Sequence, residues 1–139
     1  MQQDYLVRQA EQIGHALAII LSKLLGLKSQ PQKVIEIQNV NQMFDEQFEF
    51  NIDDLLAISK ENIVGFLENN KEKMNRNDLE TLSTILTFLA KETDSNLKKE
   101  LYERSLSILE HLDNSDPKTY SLSRKMRIAE LNNLISLQD

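Results

Sequence analysis

Apolar positions Leu6, Ala10, Ile13, Leu17, Leu21 and Leu24 recur at three- and four-residue spacing, which predicts a core-facing helix over about 3–26. Ile19, Ile20 and Leu25 widen that face beyond one stripe. The helix is therefore expected to be covered on several sides by neighbours, or by a second copy of the chain in a homodimer. Gly26 is the expected stop.

The same period continues downstream. Pro31 suits the first turn of a helix over about 31–48 that turns Val34, Ile37, Val40 or Asn41, Phe44 and Phe48 inward. The acids Asp45, Glu46, Glu49, Asp53 and Asp54 disfavour a helix C-terminus and favour an N-terminus, so a break is expected around Phe50 to Ile52. Two short helices follow, one through Leu55, Leu56 and Ile58, the other capped by Ser59 and running through Ile63, Phe66 and Leu67 to Asn69-Asn70.

The polar run Lys71 to Arg76 reads as a connection, and Asn77-Asp78-Leu79-Glu80 has capping-box spacing. The helix it opens buries Leu79, Leu82, Ile85, Leu86 and Leu89, and ends near Thr93. After a turn at Asp94-Ser95 its antiparallel partner buries Leu97, Leu101, Ser105, Ile108 and Leu112. Asp116-Pro117 opens the last helix, whose Tyr120, Met126, Ile128, Leu131, Leu134 and Ile135 are expected to pack back on the hairpin. The pattern predicts an all-α fold of about seven helices in one domain, 1–139, with an N-terminal unit over 1–70 and a three-helix unit over 77–137.

Composition narrows the function. The 139 residues are 40% hydrophobic and contain three glycines, two prolines and no cysteine. Thiolate metal sites, iron–sulfur clusters and cysteine nucleophiles are thereby excluded. Net charge is -6; residues 1–70 hold five Lys/Arg against ten Asp/Glu, and 71–139 hold eleven against twelve. Phosphate-based nucleic-acid binding needs a clustered basic face, and the nearest candidate, Arg124, Lys125 and Arg127, reads as a solvated helix face. The apolar run from Ile13 to Leu27 is interrupted by His15 and Lys23 and is too short for a bilayer. It also lacks a basic flank and a small-residue cleavage site, so a cytoplasmic protein with no membrane or nucleic-acid partner is expected.

Leu79 to Pro117 resembles a degenerate tetratricopeptide repeat, with Leu101-Tyr102-Glu103-Arg104-Ser105-Leu106 matching its aromatic-x-x-small helix. Ser105 stands where alanine is usual, and the first helix lacks the repeat's glycine and tyrosine. Gln3-Asp4-Tyr5-Leu6-Val7-Arg8-Gln9 is similar to the opening of a family of small uncharacterised bacterial proteins with a tetratricopeptide-like region behind it. The resemblance implies a right-handed helical stack in a bacterial cytosolic scaffold, and brings no reaction, substrate or cofactor.

Catalytic chemistry is hard to place. Gly14, Gly26 and Gly65 are isolated, so no phosphate-cradling loop forms. Gln12 and Ile108 stand three residues before His15 and His111, where a di-iron bundle requires glutamate. Glu11 and His15 share a face at i,i+4 and read as an ordinary surface pair, while His111 reads as a residue complementing a helix C-terminus. No Gly-x-Ser-x-Gly turn supports a serine nucleophile. Asp4, Tyr5 and Arg8 form the one distinctive set, an aromatic between an acid and a base at i,i+4. They are an anchor candidate if they are more than a first-turn ion pair with Tyr5 at the core edge. The expectation is a non-enzymatic interaction domain with no cofactor or metal that binds a peptide or protein partner. The alternatives are a homodimer through the first helix, or a small-molecule binder or enzyme with a pocket between the N-terminal unit and the hairpin.

Overall fold

Seven helices follow one another in the computed structural model, which describes residues 2–30, 35–93, 96–116 and 121–138, with side chains from 8 onward except that of residue 10. They are α1 (Gln2–Lys28), α2 (Ile37–Gln47), α3 (Ile52–Ala57), α4 (Ile63–Asn69), α5 (Arg76–Glu92), α6 (Lys98–Ser115) and α7 (Leu122–Ser136). The fold is all-α, as the periodicity implies. Val34, Pro31, Asp94, Ser95, Pro117 and Tyr120, to which roles were given from sequence, lie outside the described residues.

Local chemistry fixes the boundaries, in places differently from expectation. α1 runs through Gly26 to Lys28 with no left-handed glycine, so Gly26 is not a stop. α3 begins where the acids predicted a break: Asn51 and Asp54 form a reciprocal capping box, and buried Asn41 Oδ1 also accepts from Ile52 N at 2.8 Å. Ser59 does not cap α4. Its carbonyl closes a turn to Asn62 N, and Asn62 precedes Ile63. The box opening α5 lies two residues earlier than the spacing suggested, at Asn75 and Asp78, because Met74 is buried and Glu80 is engaged elsewhere.

Pairs of contacts along the helices give their directions. Gly14 abuts Asp78, with the Cβ an alanine would carry 3.3 Å from Asp78 Oδ1, and Lys28 pairs with Glu92 at 2.9 Å, so α1 and α5 run parallel. Arg76 at the start of α5 donates to the Leu112 carbonyl near the end of α6 at 2.6 Å, making α5 and α6 antiparallel. Between them Ser83, Thr87 and Ser105 share a hydroxyl cluster, with Ser83 Oγ 2.6 Å and Thr87 Oγ1 2.7 Å from Ser105 Oγ. Small side chains there let the two backbones approach.

α5 is the central helix. Leu79, Leu82, Ile85, Leu86 and Leu89 are all fully buried, as are Leu17, Ile20 and Leu24 of α1 and Leu101, Ile108 and Leu112 of α6. Phe44, Phe48, Phe50 and Phe66 form an aromatic cluster under α2–α4, with Phe48 and Phe50 stacked at 5.2 Å. Arg104 of α6 reaches back into the N-terminal half. It is 8% exposed and donates to the carbonyls of Leu55, Leu56, Ile58 and Glu100, so it caps the C-terminal end of α3 from outside.

Candidate functional site

The chain's most unusual surface surrounds α7. Ser121 caps this helix by accepting from Arg124 N at 3.1 Å. One turn on, Arg124 Nε and Nη2 donate to Glu80 Oε1 of α5 at 2.9 and 2.6 Å, and Arg127 Nη2 holds Oε2 of the same carboxylate. Lys125 pairs with Asp113 of α6. Partial burial alone would raise the Glu80 pKa, but the two guanidinium groups outweigh that and hold it below the ordinary glutamate value. This corrects the reading of Arg124, Lys125 and Arg127 as a solvated face: Arg124 is buried, and the set clamps α7 onto α5 and α6.

The clamp decides which side of α7 faces inward. Leu131 is buried, and Ile128, Leu134 and Ile135 pack partly against the core. Met126, expected among them, points outward and is 63% exposed. Leu122 at 60% and the C-cap Leu137 at 70% lie on the same outer stripe, which continues through Ala129 and Asn133 at three- and four-residue spacing. Among the described residues the other large exposed apolar side chain is Leu25, on α1. Among the described residues, α7 therefore has two apolar faces, one of them packed against the core.

Grooves run along both flanks of the helix. The larger, about 550 Å³, lies between α6 and α7, with Leu106 and Ile135 on its floor and Lys60, Glu103, Glu110 and Asn132 around it. The smaller, about 270 Å³, lies between α5 and α7 and is closed at one end by Lys28 of α1. Phe88, Leu109 and Leu131 form its apolar part, and Ser83, Thr84 and Thr87 add hydroxyls. Lys28 Nζ stands 5.4 Å over the Phe88 ring, and Lys91 pairs with Glu130 at 2.7 Å across the opening.

The distinctive sequence set lies on α1 and not on α7. Asp4, Tyr5 and Arg8 all fall in the first turns of α1; Arg8 is exposed, and the side chains of Asp4 and Tyr5 lie outside the described ones. Glu11 and His15 are exposed on the same helix. No group of three or more metal-capable side chains occurs among the described residues. His111 does not sit at a helix end: α6 continues to Ser115, and its Nε2 meets Glu68 Oε2 of α4 at 3.1 Å. The broad apolar surface of α1 is largely taken up inside the molecule by Ile13, Ala16, Leu17, Ile20 and Leu24, while Leu25 stays 51% exposed. Among the described residues no helix is long and apolar enough to cross a membrane. The chain matches no protein-family model, no curated protein and no solved structure.

Sequence reasoning missed Glu80 and the outward turn of Met126. The signal for the first was present as an acid on α5 with two arginines three residues apart on α7, but nothing in the sequence pairs those helices.

Proposed function

We propose that this chain is a non-enzymatic helical interaction domain that binds another protein through the outer face of α7. The observation that carries this reading is the apolar stripe of Leu122, Met126 and Leu137 on a helix whose opposite side is already packed. The occupant that fits is an amphipathic helix of a partner protein, because the stripe has the spacing of a helix-packing seam. Glu130 borders the middle of the stripe. A two-fold pairing of α7 with a second copy about Ala129 would set the two Glu130 carboxylates side by side, which favours a different partner over self-association. That partner helix carries a basic residue opposite Glu130 and an acidic one opposite Lys125. A tetratricopeptide-like stack, in which each helix packs on its predecessor, would accept such a helix as its next layer.

The test is photo-crosslinking in the native host with Met126→p-benzoylphenylalanine, beside a control at Ala57, which is exposed on α3. Adducts to a helical segment of another protein from position 126 and not from 57 are expected. No adduct, or adducts only to a second copy, overturns the reading.

A further inference from the structure

We propose that Met126 is a reversible oxidation switch for the outer face of α7: hydrogen peroxide converts its thioether to the sulfoxide, and the face then no longer accepts a partner helix. The inference rests on the reading of that face as a docking surface. The chain contains no cysteine and no tryptophan, so its most readily oxidised groups are the thioethers of four methionines. Met74 is 5% exposed, Met43 packs against the core, and the side chain of Met1 lies outside the described ones. Met126 is 63% exposed. A thioether has no proton to lose, so access of the oxidant decides which one reacts, and access singles out Met126 among the described residues.

The reaction is a two-electron oxygen transfer. The sulfur gives an electron pair to one peroxide oxygen, the O–O bond breaks, and the sulfoxide forms with release of water. A methionine sulfoxide reductase reverses the step, its two thiols becoming a disulfide while the oxygen leaves as water. In the free chain the new oxygen points into solvent and stays hydrated. The opposite side of α7, where Leu131 is buried and Arg124 and Arg127 hold Glu80, is untouched. In the docked state the same oxygen would sit on the apolar stripe between Leu122 and Leu137, where the closing partner helix strips its water. Oxidation therefore acts on association and leaves the fold alone. A bound helix in turn covers the sulfur, so docking and oxidation exclude each other.

In the experiment the full chain carrying Leu122→p-benzoylphenylalanine, which keeps Met126, is treated with hydrogen peroxide and freed of it with catalase. It is then irradiated in host lysate beside the untreated chain, while peptide masses report which methionine has gained oxygen. Met126 is expected to oxidise before Met43 and Met74, with far-ultraviolet ellipticity unchanged. Adducts to a helix of another protein are expected to fall about tenfold, the loss that goes with one unpaired polar group in an apolar seam. Reductase with dithiothreitol should restore them, and Met126→Leu, apolar and inert to peroxide, should keep them through the same treatment. Adducts that persist once Met126 is oxidised, an equal loss in Met126→Leu, earlier oxidation of Met43 or Met74, or a loss of ellipticity overturns the switch and leaves the docking face standing. No adduct from the untreated chain overturns the docking reading and the switch with it.

Discussion

Four backbone carbonyls converge on the Arg104 guanidinium, and a lysine there could satisfy only part of them from a single point. Because the site is 8% exposed, carbonyls left without a donor are not rehydrated freely. Arg104→Lys is therefore expected to lower unfolding free energy by about 1–3 kcal/mol, and Arg104→Ala by more, in urea titrations followed by circular dichroism. Glycines give a contrast in sign. At Gly65 an added Cβ meets nothing within 4 Å, so Gly65→Ala should stabilise the chain by about 0.5–1 kcal/mol through helix propensity. At Gly14 the same methyl would press on Asp78 Oδ1 at 3.3 Å, and Asp78 cannot move without weakening the capping box it makes with Asn75. Gly14→Ala should thus forfeit that gain or become destabilising, and the two variants compared in one titration series separate propensity from packing.

Between elements, the contact with the clearest pH signature is the Glu80 carboxylate under Arg124 and Arg127. Its pKa is lower in the folded state than in the unfolded one, so its stabilisation is present above the ordinary value of 4.5 and is lost as pH falls through the lower folded value. Glu80→Gln should cost about 1–3 kcal/mol at neutral pH and flatten the loss of stability below about pH 4.5, as measured by thermal midpoints from pH 7 to 3. This junction also marks how far the sequence could be read. The existence of seven helices and most inward positions of α1, α2, α5 and α6 follow from period alone, because each of those helices has one dominant apolar side. α7 has two. Period cannot choose between the Met126 side and the Leu131 side, and the choice is made by two arginines finding an acid 44 and 47 positions away. The same partnership explains the misplaced capping box. Asn77 and Glu80 have the spacing, but Glu80 is held by α7, while Asn75 and Asp78 are free to cap. The anchor set Asp4, Tyr5 and Arg8 was distinctive as a string, yet Arg8, the one of the three whose side chain is described, lines neither groove.

At the scale of the whole molecule, the N-terminal helices and the α5–α7 unit share one core instead of standing as two. α5 is the shared wall: Leu79, Leu82, Ile85, Leu86 and Leu89 are fully buried, with α1 packed along one side of the helix and α6 along the other. A fragment of residues 71–139 would keep α6 and α7 but uncover the α5 surface that Leu17, Ile20 and Leu24 now help to close. Burial of each such large side chain contributes about 1.5–3 kcal/mol. Exposing several at once removes stabilisation of the same order as the roughly 5–15 kcal/mol that holds a domain of this size together. Arg104 would lose its α3 carbonyls at the same time, leaving a mostly buried cation without acceptors from that helix. The fragment is therefore expected to give a poorly dispersed amide spectrum and a broad thermal transition, while the full chain unfolds with coincident midpoints by far-ultraviolet ellipticity and by near-ultraviolet tyrosine signal. A fragment that folded with a sharp transition of its own would mean that α5 can close its core against α6 and α7 alone, and that α1 is an addition to a finished three-helix unit.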